Sequence, residues 1–147
     1  MLFKKSLFVC AAALSVFASA SAFAKGKKLQ VTSFNDLKWQ DVPGTPLKTV
    51  NLWGDQYKGA HGRYLKLPGG FEAGMHSHTA PYHGVLISGT WLHWENSQTP
   101  VELPAGSYVM QPGKSDHNDK CKEGADCILL TVSDAKTDYI PGKTAKK

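Results

Sequence analysis

Past Lys28 the chain has no long stretch in which apolar residues recur every three or four positions, and this limits its possible folds more than any other feature. What appears instead is a series of short apolar or alternating runs, each closed by a turn signal. Val50-Asn51-Leu52-Trp53 ends at Gly54-Asp55, and Arg63 to Leu67 alternates and stops at Pro68-Gly69-Gly70. Phe71 to His78, His83 to Ser88 and, after Gly89, Thr90 to Glu95 follow. Thr99 to Leu103 stops at Pro104-Ala105-Gly106, Ser107 to Gln111 stops at Pro112-Gly113, and Cys127 to Ser133 closes the set. Short strands at roughly 8–12-residue spacing with Gly/Pro punctuation predict an all-β antiparallel sandwich or small β-barrel. Val109, Ile128, Leu129, Leu130 and Val132 are the expected core residues.

The two ends read differently. Lys4-Lys5, the apolar run Leu7 to Phe17 and the small-x-small triplet Ala22-Phe23-Ala24 follow the order of a secretory signal peptide. The apolar run is too short to span a bilayer well, and Val9 before Cys10 argues against a lipid anchor. Removing 24 of the 147 residues leaves 123, enough for one domain with a real core. The expected organisation is a signal peptide at 1–24, an N-terminal arm with an edge strand at 25–46, the barrel at 47–134, and a basic tail at 135–147. A periplasmic or secreted location follows, with no transmembrane segment in the mature chain. The sequence pI near 9.1 suggests an anionic partner only until the charges are placed. Leu29 to Pro141 holds 9 basic residues against 12 acidic ones, so the body carries −3 and the basic character belongs to the termini. Nucleic acid is therefore excluded as the expected partner.

Export leaves two cysteines, Cys121 and Cys127. An even count in an oxidising compartment predicts a disulfide, and the five residues between them include Gly124, which can turn the chain back. A metal-binding or redox pair prefers closer spacing.

Six histidines remain: His61, His76, His78, His83, His93 and His117. On a strand, His76 and His78 leave the same face, so two imidazoles can converge on one point. Inside a core each ring would need a hydrogen-bond partner, whereas a divalent metal satisfies both.

The wider pattern resembles the cupin superfamily. Gly70, five residues, His76-x-His78, then Tyr82/His83 and Gly89 is similar to the first cupin motif, which places a Glu between its His-x-His and its last Gly. Gly106, five residues, Pro112 and then His117 is similar to the second. The chain departs from the pattern where Lys114 stands in place of a Gly and Cys121 in place of an Asn, and no Glu fills the fourth ligand position. The closer resemblance is to small exported cupins grouped as a domain of unknown function, through Leu52-Trp53-Gly54-Asp55, Gly89-Thr90 and the Lys120-Cys121…Cys127 segment. The cupin domain of zinc-binding anti-sigma factors is a more distant likeness. The resemblance implies a double-sheet jelly roll and one divalent transition metal (Zn, Fe, Mn, Ni or Cu) on His76, His78 and His117. It also implies pairing of two copies through strand edges.

Counting from either side puts Tyr82 or His83 at the fourth position. His83 is the better donor, because a phenol must first lose a proton. Trp91, His93 and Glu95 share one face of a strand and, if that face lines the lumen, shape a substrate pocket with Tyr82. Tyr82 and Glu95 are the candidate proton carriers. His61 reads as a solvated loop residue, and Asp116 points away from His117. Two functions follow: a metal-dependent enzyme acting on a small organic molecule (an oxygenase, lyase or isomerase), or a non-catalytic cupin that binds or senses a small molecule or metal.

Overall fold

A computed structural model describes residues 28–142 other than residue 97; the segment expected to be a signal peptide and the last basic residues lie outside the described residues. Among the described residues eleven strands follow one 3-10 turn at Phe34–Asp36. They are β1 (Gln40–Asp41), β2 (Lys48–Gly54), β3 (His61–Leu67), β4 (His76–Ser77), β5 (Tyr82–Ser88), β6 (Thr90–Glu95), β7 (Val101–Pro104), β8 (Tyr108–Gln111), β9 (His117–Cys121), β10 (Cys127–Ser133) and β11 (Ile140–Pro141). They form two sheets, β1-β2-β3-β10-β5-β8 and β11-β4-β9-β6-β7, and neighbouring strands run antiparallel. This is the predicted double-sheet jelly roll. Among the described residues no helix is long and apolar enough to cross a membrane.

Alternation sorts each strand. On β3, His61, Arg63, Leu65 and Leu67 point inward, and β10 sets Ser133, Thr131, Leu129 and Cys127 opposite them in register. The apolar core is Leu67, Leu86, Trp91, Cys121, Cys127 and Leu129, with Leu65, Phe71 and Val109 packed against it. Ile128, Leu130 and Val132 alternate to the other face, where Ile128 is buried and the other two are only partly buried. The sulfurs of Cys121 and Cys127 lie 2.08 Å apart, at disulfide distance, beside this core. Gly89 links β5 to β6 with φ +89°, and a Cβ there would stand 2.7 Å from the Asp126 carbonyl oxygen. Only glycine fits that corner.

Two expectations change. Phe71 to His78 is not one strand: Gly74, at φ +77°, breaks the run, leaving β4 and a single bridge between Glu72 and Lys120. The segment from Ala135 is not a free tail over its described part. Thr137 N–H donates to Gln56 O (2.7 Å), β11 pairs with β4, and Gly142 N–H donates to Met75 O (2.8 Å). Backbone groups of β4, Met75 and Gln56 supply the partners, and no apolar pattern advertises them.

Lys114, which replaces the motif's Gly, adopts φ +62°, the left-handed conformation a glycine takes easily. Its N–H donates to His78 O (2.7 Å), tying the β8–β9 turn to the end of β4.

Candidate metal centre

β4 and the residue after it carry His76 and His78, and β9 opens with His117 directly opposite His76. The ring centroids of His76 and His117 are 4.3 Å apart, and one nitrogen from each of the three rings lies within 4.8 Å of the others. In each ring the Nδ1 faces a backbone carbonyl oxygen: Gly74 O for His76 (2.8 Å), Asp138 O for His78, and Ser115 O for His117 (3.1 Å). A carbonyl only accepts, so each Nδ1 carries the proton and each Nε2 is left to act as a donor atom to a metal. His117 is fully buried, and its Nε2 has no hydrogen-bond partner. An orphaned buried nitrogen among three convergent imidazoles is what a divalent transition metal would satisfy.

Asp119 lies two residues beyond His117 on the same strand face. Its Oδ1 accepts from Trp91 Nε1 (2.8 Å) and His93 Nδ1 (2.9 Å). Its Oδ2 stands 3.4 Å from His117 Nε2 and 3.7 Å from His76 Nε2. Those contacts are electrostatic and too poorly directed for hydrogen bonds. Burial alone would raise the Asp119 pKa, but the His117 and His93 rings beside it outweigh burial and hold the carboxyl well below its usual range. Burial pushes His76 down to about 4 and lowers His78 as well. For His117 burial also works downward, yet the neighbouring Asp119 carboxylate reverses it and raises the pKa. The carboxylate that favours a proton on that nitrogen favours a metal cation there too.

The structure gathers His76, His78 and His117 and leaves His83 out. Adjacent strand residues face opposite ways, so on β5 Tyr82 turns inward while His83 is exposed, its Nδ1 2.6 Å from the Tyr108 hydroxyl. The fourth-ligand expectation for His83 is corrected on that ground. Tyr82 packs edge-on to His78 at 5.3 Å, and burial raises its hydroxyl well above the ordinary phenol range, so it stays protonated. The face of β6 with Trp91 and His93 turns inward: Trp91 is fully buried, and His93 bridges Asp119 and Gln111 Oε1 (3.0 Å). Glu95 accepts from Ser115 Oγ (2.9 Å) and does not reach the cavity lining, so it is no proton carrier there. His61, expected to be solvated, is buried and lines the cavity.

Sequence reasoning missed Asp119, Arg63 and Tyr139. Tyr139 stacks on His76 with 4.6 Å between ring centroids and donates its hydroxyl to Ala73 O (2.9 Å). The i, i+2 step from His117 would have found Asp119; the position of Tyr139 has no local signal.

A cavity of about 610 Å³ opens beside the histidines. His76, His78, Tyr82, Asp119 and Arg63 line one end, and Leu65, Leu67, Phe71 and Leu129 line the other.

A jelly roll with a histidine cluster at its lumen defines the chain as a cupin. It belongs to the family described as the ChrR cupin-like domain (Cupin_7), whose model matches residues 27–136. That is the likeness to anti-sigma cupins that the sequence patterns ranked as the more distant one. No curated protein matches the chain. Among solved structures, the chain is similar to the polyketide cyclase RemF from Streptomyces resistomycificus at 13% identity and TM-score 0.67, covering 81% of this chain and 89% of that one. It is similar to an RmlC-like cupin protein from Ralstonia eutropha JMP134 at 22% identity and TM-score 0.61, covering 76% and 72%. It is also similar to a chain of the Rhodobacter sphaeroides complex of SigE with the anti-sigma ChrR, at 23% identity and TM-score 0.56, covering 69% of this chain but 52% of that one. At these identities the likeness speaks for the fold alone.

Proposed function

We propose that the protein is an exported metal-dependent cupin that acts on a small organic molecule held in the cavity beside His76 and His78. The observation that carries this reading is the position of His76 and His78: they stand at the wall of a ligand-sized space, with His117 buried directly behind them. His76, His78 and His117 would hold one divalent transition metal, with Asp119 Oδ2 as the fourth protein ligand. Asp119 Oδ2 stands 3.4 Å from His117 Nε2 and 3.7 Å from His76 Nε2, near enough to share one ion with them. Trp91 and His93 hold the other oxygen and fix the carboxylate's orientation. When bound, the metal would act as a Lewis acid on an oxygen of the ligand.

The chain's own contribution is placement and proton handling. Tyr82, inward and protonated, is the group positioned to give a proton to a bound molecule. The apolar end of the cavity excludes water from the ligand's body. Export, suggested by the signal-like pattern at 1–24 and the cysteine pair at disulfide distance, would place this chemistry in the periplasm or outside the cell.

Elemental analysis of protein purified without chelators tests the site, with about one metal per chain expected. A chain with no metal under those conditions would end the reading. Small-molecule turnover lost in Tyr82→Phe with metal retained supports the enzyme. The same metal content and ligand binding with no turnover would instead favour a binding or sensing cupin. N-terminal sequencing of fractionated protein tests export: a chain starting near Lys25 outside the cytoplasm is expected, and intact Met1 in the cytoplasm refutes it.

A further inference from the structure

Arg63 is a buried cation with no acidic partner among the described residues. The residue is 9% exposed, and none of the ion pairs among the described residues includes it. Its Nε donates to Thr131 Oγ1 (3.1 Å) and its Nη1 to Gln56 Oε1, both neutral acceptors. A guanidinium has five N–H donors, so these two bonds leave most of the fork without a partner. Burial lowers its pKa, but only to about 10, and the group stays charged at neutral pH. A desolvated charge is costly unless paired, and this one lines the cavity with Tyr82 and His78.

The cavity's two acids are already engaged. Asp119 faces His117 and holds Trp91 and His93, while the Asp138 carboxylate accepts from the Thr79 N–H (2.8 Å) and hydroxyl. Arg63 therefore remains as a positive charge without a counter-ion, on a wall whose next inward positions are Leu65 and Leu67. One planar fork suits one planar anion of single charge. The apolar remainder suits a hydrocarbon or aromatic body.

From this geometry we infer the ligand class: a monocarboxylate with an apolar body, its carboxylate held by Arg63 and its body lying along Leu65, Leu67 and Phe71. The inference rests on the proposed function for the cavity's use, yet it requires no metal. With the body at the apolar end, the carboxylate and the atoms next to it are the part of the molecule that faces the histidines.

The test is calorimetric titration of the full-length chain with benzoate, the neutral isostere benzamide, and phenyl phosphate. Wild type should bind benzoate at least about tenfold more tightly than benzamide. Arg63→Met should weaken benzoate by roughly tenfold to a hundredfold while metal content is unchanged. If Arg63→Met does not fold, Arg63→Lys, which keeps the charge and loses the fork, should show a smaller loss. His117→Ala, emptied of metal, should still bind benzoate within a few-fold of wild type. Equal binding of benzoate and benzamide, no detectable benzoate binding, or benzoate binding unaffected by the Arg63 variants overturns the inference. So does tighter binding of phenyl phosphate, or loss of benzoate along with the metal. If wild type holds no metal but binds benzoate through Arg63, the metal reading fails and this one stands.

Discussion

The inside of the barrel has two ends built from the same strands. At one end β3, β10 and β9 present His61 and Arg63, Thr131 and Ser133, and His117 and Asp119. At the other the same three strands present Leu65 and Leu67, Cys127 and Leu129, and Cys121. Each strand changes from polar to apolar within a few inward positions, and antiparallel registration gathers like with like. The polar end is ordered by directed bonds: the Nδ1 of each of the three rings meets a backbone carbonyl, and Asp119 Oδ1 accepts from Trp91 and His93. The apolar end is ordered by shape and area, and by the cysteine pair. Chemistry and stability are thus separable along one axis.

That separation can be broken from either end. The largest effect should come from His117→Ala, which should take metal content from about one per chain to near zero by elemental analysis with the β circular-dichroism spectrum kept, while His83→Ala should leave it unchanged. At the opposite end, Leu129→Ala should cost about 2–5 kcal/mol in denaturant unfolding with metal content preserved. Loss of metal there would show that the two ends are not independent.

Reducing the cysteine pair, or replacing both members with Ser, should cost about 2 kcal/mol for so short a loop, again without loss of metal. Non-reducing peptide mapping checks that the link is present beforehand.

Acidity should weaken the polar end. In chelator-treated protein His76 titrates near 4 in the fold, against 6.5 when unfolded. Between those values the unfolded chain binds the extra proton, so stability is full above pH 6.5 and falls as pH drops toward 4. His117, raised in the fold, works in the opposite sense and adds stability below its unfolded value. Comparing urea unfolding of wild type with His76→Phe at pH 7 and pH 5 should show about 1–2 kcal/mol less acid loss in the variant. The smallest effect belongs to Lys114→Gly, which relieves a left-handed φ and should change stability by less than about 1 kcal/mol, in the stabilising direction, with a small rise in Tm.

The strand set and the His76–His78 pair were legible because both depend on alternation, a property of neighbouring positions. The failures came where the answer lay elsewhere. Counting spacing left Tyr82 and His83 one residue apart, which on a strand means opposite walls, and donor strength then favoured the wrong wall. Asp119 was readable by the alternation already applied to His76 and His78. Arg63 sat in a run read only as a strand, since its lack of an acidic partner appears only when β3 and β10 are in register. Tyr139 and the carbonyl of Asp138 were beyond reach, because a backbone oxygen has no signature in the residue that carries it.

That carbonyl has a consequence for how the protein is made. His76, His78 and His117 all precede Asp138 along the chain, while the oxygen that orients the His78 ring arrives with Asp138 itself. A polypeptide emerging N-terminus first therefore holds three coordinating rings before it holds the group that aims one of them. A cation caught early would meet two aimed rings, and one caught after the last segment docks would meet three. If these rings hold a metal as proposed, its capture and the arrival of the chain's last segment would be coupled in time.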